Sequence, residues 1–139
     1  MATTQEALQV STIAPSLTVD DLQKSITFYE ALGFAIDEKW EENGTLLGVM
    51  MRAGQSQIGL SQDDWKKGRD RKKGVGLRLT LSTTQNIDGI AARAKGAGIR
   101  LVSEPHDTEW KSRAFEVTDP SGFLLTIYSE PSSQASPQG

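Results

Sequence analysis

The chain has 139 residues, 37% of them hydrophobic and 24% charged, with no cysteine and one histidine. That size fits one domain with a core of its own, and the missing cysteines exclude a disulfide scaffold, a thiolate zinc site, an iron–sulfur cluster and a cysteine nucleophile. A formal charge of -3 argues against a nucleic-acid partner, and no basic-then-apolar leader or membrane-length apolar run is present, so a cytoplasmic protein without a membrane partner is expected.

Residues 1–9 read as a flexible lead-in, and residues 131–139, PSSQASPQG, have no apolar anchor and read as a disordered tail, which leaves one folded unit over 10–130. Ile13, Leu17 and Val19 fall near a period of two, interrupted by Pro15, and predict a strand. Thr18 and Asp21 resemble a capping box with Asp in place of Glu. The stripe Leu22, Ile26, Tyr29 then predicts a helix that Gly33 stops. Segments 34–41, 45–52 and 57–61 read as three strands joined by turns. Residues 62–74, QDDWKKGRDRKKG, carry +3 locally against -6 for the rest of the chain, and lack apolar periodicity. They read as a solvated, flexible linker, with a lid attracting an anionic ligand as the sharper alternative.

The order then recurs. Leu77, Leu79 and Leu81 alternate with Arg78, Thr80 and Ser82, a half-buried strand. A helix over 86–96 ends near Gly98, and strands follow near 99–103, 113–118 and 123–129, the last two flanking the turn Asp119-Pro120-Ser121-Gly122. Sliding the chain on itself by 65 residues aligns Leu22 with Ile87, Ile26 with Ala91 and Gly33 with Gly98. Two strand–helix–three-strand modules are therefore expected, over about 10–61 and 75–130.

TVDDLQKSITFYEALGF (18–34) and WKSRAFEVTDPSGFLLTIY (110–128) resemble the opening and closing signatures of the vicinal oxygen chelate superfamily, which contains glyoxalase I, bleomycin-resistance proteins and extradiol dioxygenases. The resemblance implies an α+β fold, two βαβββ modules forming a half-open barrel around a cleft, and a homodimer. It also implies that the metal-dependent members' ligand positions fall on Ala14, Gly59, Leu77 or Arg78, and Thr126. Nearby glycines favour Leu77, whereas keeping the strand's apolar face inward favours Arg78, which is preferred. A methyl, a hydrogen, a hydroxyl and a guanidinium do not offset the dehydration of a divalent ion, so no metal and no cofactor are expected. His106, in a polar segment outside these positions, reads as a surface residue.

Strand alternation under this fold sends Phe123, Leu125 and Ile127 beneath the second helix and leaves Thr126 and Tyr128 toward the cleft. It likewise leaves Gln57 and Ser61 there beside Arg78. Trp65 and Trp110 lie in polar sequence, where a core tryptophan is less expected, and are candidate stacking surfaces for a planar ligand. The candidate ligand-binding set is Trp110, Arg113, Arg78, Tyr128, Thr126, Trp65, Ser61 and Gln57. Arg78 and Arg113 would fix a polar or anionic group. The GxG at 74–76 is no phosphate loop, there is no nucleophile elbow, and nothing marks a carboxylate pair, Glu116 being one candidate. The expected function is metal-independent binding of an aromatic or amphipathic metabolite or antibiotic, with no catalytic residue assigned. The alternatives are a metal-dependent lyase or dioxygenase with an atypical ligand set, and a non-catalytic association module.

Overall fold

In a computed structural model that describes residues 6–129, the predicted helical stripe forms α1 (Leu22–Leu32) and buries Leu22, Ile26 and Tyr29. Residues 1–5 of the expected lead-in and the expected tail lie outside the described residues. The N-cap is Asp21, whose carboxylate accepts the Lys24 amide at 3.1 Å, and not Thr18, which belongs to β1 (Ser16–Val19). Gly33 ends the helix at φ 113°, a left-handed turn whose amide donates to the Glu30 carbonyl. Strand β1 is shorter than its hydrophobic pattern predicted. Pro15 has no amide to give a ladder, and Ile13 before it is 83% exposed.

Strands β2 (Ala35–Glu42), β3 (Thr45–Ala53) and β4 (Ser56–Gln62) complete the first module, and β5 (Arg78–Thr83) opens the second. Helix α2 (Ile87–Gly96) starts at Asn86, whose side chain accepts the Gly89 amide at 2.7 Å, and β6 (Leu101–Asp107), β7 (Arg113–Thr118) and β8 (Leu124–Ser129) follow. The module order β1-β4-β3-β2 recurs as β5-β8-β7-β6, with β1 parallel to β4 and β5 parallel to β8. The fold is α+β, two βαβββ modules whose sheets are not closed into a barrel. Strand β6 runs further than predicted and carries His106, paired with Ala114, so the histidine is an exposed strand residue.

One face of each sheet is covered by its helix. Val49, Met51 and Leu60 from the first sheet and Phe115, Val117 and Leu125 from the second are all fully buried, and the two modules share one core. The opposite faces stay open to solvent. No helix among the described residues is long and apolar enough to cross a membrane.

The modules are tied at one end of their seam. The buried Tyr29 hydroxyl donates to Asp119 Oδ2 at 2.8 Å, linking α1 to the β7–β8 turn, and the Asp20 amide donates to Ser121 Oγ at 2.9 Å. Lys73, its side chain 5% exposed, bridges Asp20 at 2.5 Å and Asp63 at 2.9 Å. Gly74, at φ 82°, lies so close to Gly122 that a β-carbon there would strike the Gly122 carbonyl. The linker is thus pinned where it leaves β4 and again where it enters the second module, instead of flexible throughout as the charge pattern predicted. Burial, with the Asp119 carboxylate beside it, pushes the Tyr29 hydroxyl far above its ordinary pKa, so it stays a donor. Tyr29→Phe should lower unfolding stability by about 1.5–3 kcal/mol, the range for a hydrogen bond to a charged group, read as a shifted urea midpoint at unchanged slope.

Candidate functional site

The alternation that buries Leu125 and Ile127 turns Leu124, Thr126 and Tyr128 to the open face of the second sheet. Register then aligns Thr80, Thr126, Glu116 and Ser103 in one row across β5, β8, β7 and β6, with Arg78 beside Leu124 in the next row. Glu116 is the hub. Thr126 donates its hydroxyl to Oε2 at 3.0 Å, Ser103 donates to Oε1 at 3.4 Å, and an Arg78 Nη lies 3.8 Å from Oε2. Arg78 therefore faces this side, whereas Leu77 precedes the strand. In the sequence the signal for Glu116 is its place between Phe115 and Val117, which face the core and so turn it to the side of Thr126.

On the first sheet the corresponding face is low in the middle. Gly48 pairs with Ser61 and Trp40, and Gly59 pairs with Met50 and Ser16. The Trp40 ring lies across Gly48, 3.4 Å from where a β-carbon would stand, and Ser61 flanks it at 3.5 Å. Trp40 is 47% exposed, an aromatic platform above a glycine floor. Gln57 is committed elsewhere on this sheet: its amide donates to Asp37 at 2.7 Å, next to the Arg52–Asp37 ion pair.

The position beside Gly59 on β1 is Ser16, and the position beside Thr126 on β5 is Thr80, so the level across β1, β4, β5 and β8 is three hydroxyls and one glycine. This donor set does not fit a divalent cation, with Ala14 and Arg78 substituted or not. It lacks a carboxylate or imidazole, and the nearest carboxylate already faces a guanidinium. Among the described residues no three His, Cys, Asp or Glu side chains come together.

Three predicted site residues lie elsewhere. Arg113 shares the side of β7 that buries Phe115 and Val117, and its guanidinium grips Asp88 of α2 through two bonds at 2.7 and 2.9 Å and Asp107 through one at 2.9 Å. Those bonds push Arg113 above its ordinary pKa and hold Asp88 below the usual carboxylate range, so Arg113 anchors α2 beside an open recess of about 600 Å³ and does not face the cleft. Trp110 sits in the β6–β7 turn, 71% exposed, and only its amide is held, by Thr108. Trp65 belongs to the linker, with Lys73 4.8 Å and Arg69 4.9 Å from its ring centroid, so its face is already taken by cations. The polar sequence around both tryptophans signalled a surface and did not signal a shared pocket. Trp40 is the tryptophan on an open sheet face.

At the other end of the seam from Lys73 a groove of about 790 Å³ separates the modules, running between the start of β4, the length of β5 and the helix ends. Gln57, Thr80 and Ser82 reach its rim, and its floor includes core residues of the second sheet.

A family model for the Glyoxalase/Bleomycin resistance protein/Dioxygenase superfamily matches residues 9–127. The chain belongs to that superfamily. Among solved structures, TioX from Micromonospora sp. ML1 aligns with a TM-score of 0.71 at 17% identity, covering 86% of this chain and 98% of TioX. The hypothetical protein SA1046 from S. aureus gives 0.68 at 22% identity, covering 88% of this chain and 95% of its own. A superfamily member from Sphaerobacter thermophilus DSM 20745 gives 0.68 at 23% identity, covering 88% and 98%. At these identities the likeness is one of fold. No curated protein matches the chain.

The Lys73 bridge makes stability depend on pH in a defined direction. The bond from Lys73, then the Trp65 amide and the charges of Lys73 and Arg71, hold the Asp63 carboxyl below the usual range against the opposing effect of burial. Its stabilising contribution is full above the unfolded value of about 4 and is lost as pH falls through the lower folded value. Burial pulls the Lys73 ammonium down, but its bonds to Asp20 and Asp63 outweigh that and leave it raised, so its contribution fades only above the unfolded value of about 10.5. Asp63→Asn should lower Tm at neutral pH and flatten the fall of Tm on acidification below about pH 4, followed by scanning calorimetry.

Proposed function

We propose that this chain is a metal-independent binding protein for an aromatic or amphipathic small molecule, held against the open sheet faces of a homodimer in the cytoplasm. The observation that carries the reading is the Arg78–Glu116–Thr126 network. It occupies the level where metal-dependent relatives carry ligands, and it pairs the carboxylate with a cation instead of leaving it for a metal. An Arg and a Glu side by side, with Ser103, Thr80 and Tyr128 around them, match the donors and acceptors of a neutral or zwitterionic organic group. Trp40 adds a flat surface for a ring, and among the described residues no hydrogen bond holds the Tyr128 hydroxyl. Ser61 extends the first-sheet platform, while Arg113 and Trp65 are left out because their contacts tie them elsewhere, and Trp110 because it stands exposed on the β6–β7 turn.

Homodimerisation supplies what one chain lacks. Arg78, Thr80, Ser61 and Trp40 are exposed in the single chain, and small-molecule sites bury most of their ligand. A second copy over these faces turns two platforms into an enclosed cleft. The metal-enzyme alternative is disfavoured by the donor set.

The test combines metal analysis of the purified protein with tryptophan-fluorescence titration against a panel of planar metabolites and drugs, and sedimentation to establish the dimer. Saturable quenching is expected without added metal. Trp40→Phe should remove most of the signal, and Arg78→Ala should weaken binding about 10- to 100-fold with little change in Tm. Stoichiometric divalent metal that is lost on Thr126→Ala would sink the reading.

A further inference from the structure

The groove at the far end of the seam differs chemically from the open faces. Its lining is mixed, and it contains one apolar stretch in which Phe34 of the first module and Leu79, Leu81 and Ile90 of the second stand over Leu125 and Ile127. Leu79 and Leu81 belong to β5, an edge strand paired only with β8, and both are half-buried although their alternation points them inward. Both pack against the shared core without being fully buried in it. The rim carries amides and hydroxyls and a single charged side chain, Arg93. In a chain of net charge -3, no carboxylate lines this groove among the described residues.

Arg93 is held but not neutralised. One Nη donates to the Glu30 carbonyl in the last turn of α1 at 3.2 Å, and no ion pair to it is found among the described residues. A guanidinium has five donor hydrogens, so four are left for a ligand, in the planar fork that suits a carboxylate. The bond to Glu30 fixes the fork at the mouth of this groove, and Gly33 leaves room beside it, with a β-carbon there 3.8 Å from Arg93 Nη1.

We propose that this groove is a second ligand site, taking an amphipathic monoanion with its carboxylate on Arg93 and its hydrocarbon body between the modules. The apolar stretch supplies affinity in proportion to the area covered, and the single cation selects the charge of the head group. The groove shares Thr80 on its rim with the open-face site, but Arg93 and the apolar stretch lie outside that site, so the proposal stands whether or not the open faces bind a ligand.

Isothermal titration calorimetry with decanoate and 1-decanol, on the full chain, tests it. Decanoate is expected to bind at one site per chain at least about tenfold more tightly than the alcohol, and Arg93→Gln should bring the two together. Arg93→Lys should restore part of the preference, since it returns the charge without the fork. The planar-ligand titration on the open faces should be unchanged by Arg93→Gln. Equal affinity for acid and alcohol in the unaltered protein overturns the proposal, as does an Arg93→Gln protein with lowered Tm and an intact preference, which would make Arg93 a cap on α1 only. Decanoate binding seen only after deletion of residues 1–12 also overturns it, because the groove would then seat the chain's own N-terminal segment.

Discussion

Asp119 accepts three hydrogen bonds at once, from the Tyr29 hydroxyl and from the amides of Ser121 and Phe123, while only 3% exposed. A carboxylate withdrawn that far from water persists only when its lone pairs are met, so each partner is required. Two of the bonds shape the β7–β8 turn and the third crosses to the other module. The turn therefore cannot take its shape without also presenting a socket for α1, and α1 cannot bury Tyr29 without finding that socket. The Lys73 bridge and the close approach of Gly74 to Gly122 lie beside it and close the same end of the seam. Strand β1 runs toward this tie and β5 runs away from it, and at the far end of the seam the single exposed bond from Arg93 to the Glu30 carbonyl is a much weaker link than this buried cluster.

Three arginines show how local pairing sets the use of one side chain. Arg113 is saturated by two aspartates on the helix side and serves architecture. Arg78 lies 3.8 Å from an open-face carboxylate and is 57% exposed, close enough to pair with it and free enough to turn toward a ligand. Arg93 has a carbonyl and no carboxylate, so its charge is balanced by nothing in the groove it overlooks. Exposure alone does not separate them. The number and charge of the acceptors within reach does.

The elements were legible because their signals are local. A stripe of Leu22, Ile26 and Tyr29, glycines where each helix stops, and alternation in 77–82 and 123–129 need no knowledge of the rest of the chain. The same alternation placed Arg78, Thr126 and Tyr128 on one face. It also puts Arg113, two residues before Phe115 and four before Val117, on the helix side, whereas its charge taken alone suggests a ligand contact. The tryptophans were hard to place for a different reason. Polar neighbours in sequence establish that a residue lies near the surface and say nothing about which surface, so Trp65 under two cations and Trp110 on a turn look alike from the sequence. The groove was illegible because residues 34, 58, 79, 90 and 125 meet only after the modules dock. Its one sequence trace is that Leu79 and Leu81 face inward on a strand with a free edge.

The single histidine and absent cysteine fit this arrangement in a further way. In a fold whose halves were clamped through a metal, losing the ligands would cost the link between the modules. Here the link runs through Tyr29, Asp119, Lys73, Asp20 and Asp63, all at the end of the seam or on the helix side, and none of it crosses the open faces. The core shared by the two helices adds apolar burial that is equally independent of those faces. Hydroxyls, glycine and a guanidinium can therefore stand at the inner-strand positions without weakening the scaffold. The chemistry of the open faces is uncoupled from the stability of the fold, which is the physical condition for one architecture to host unrelated sites.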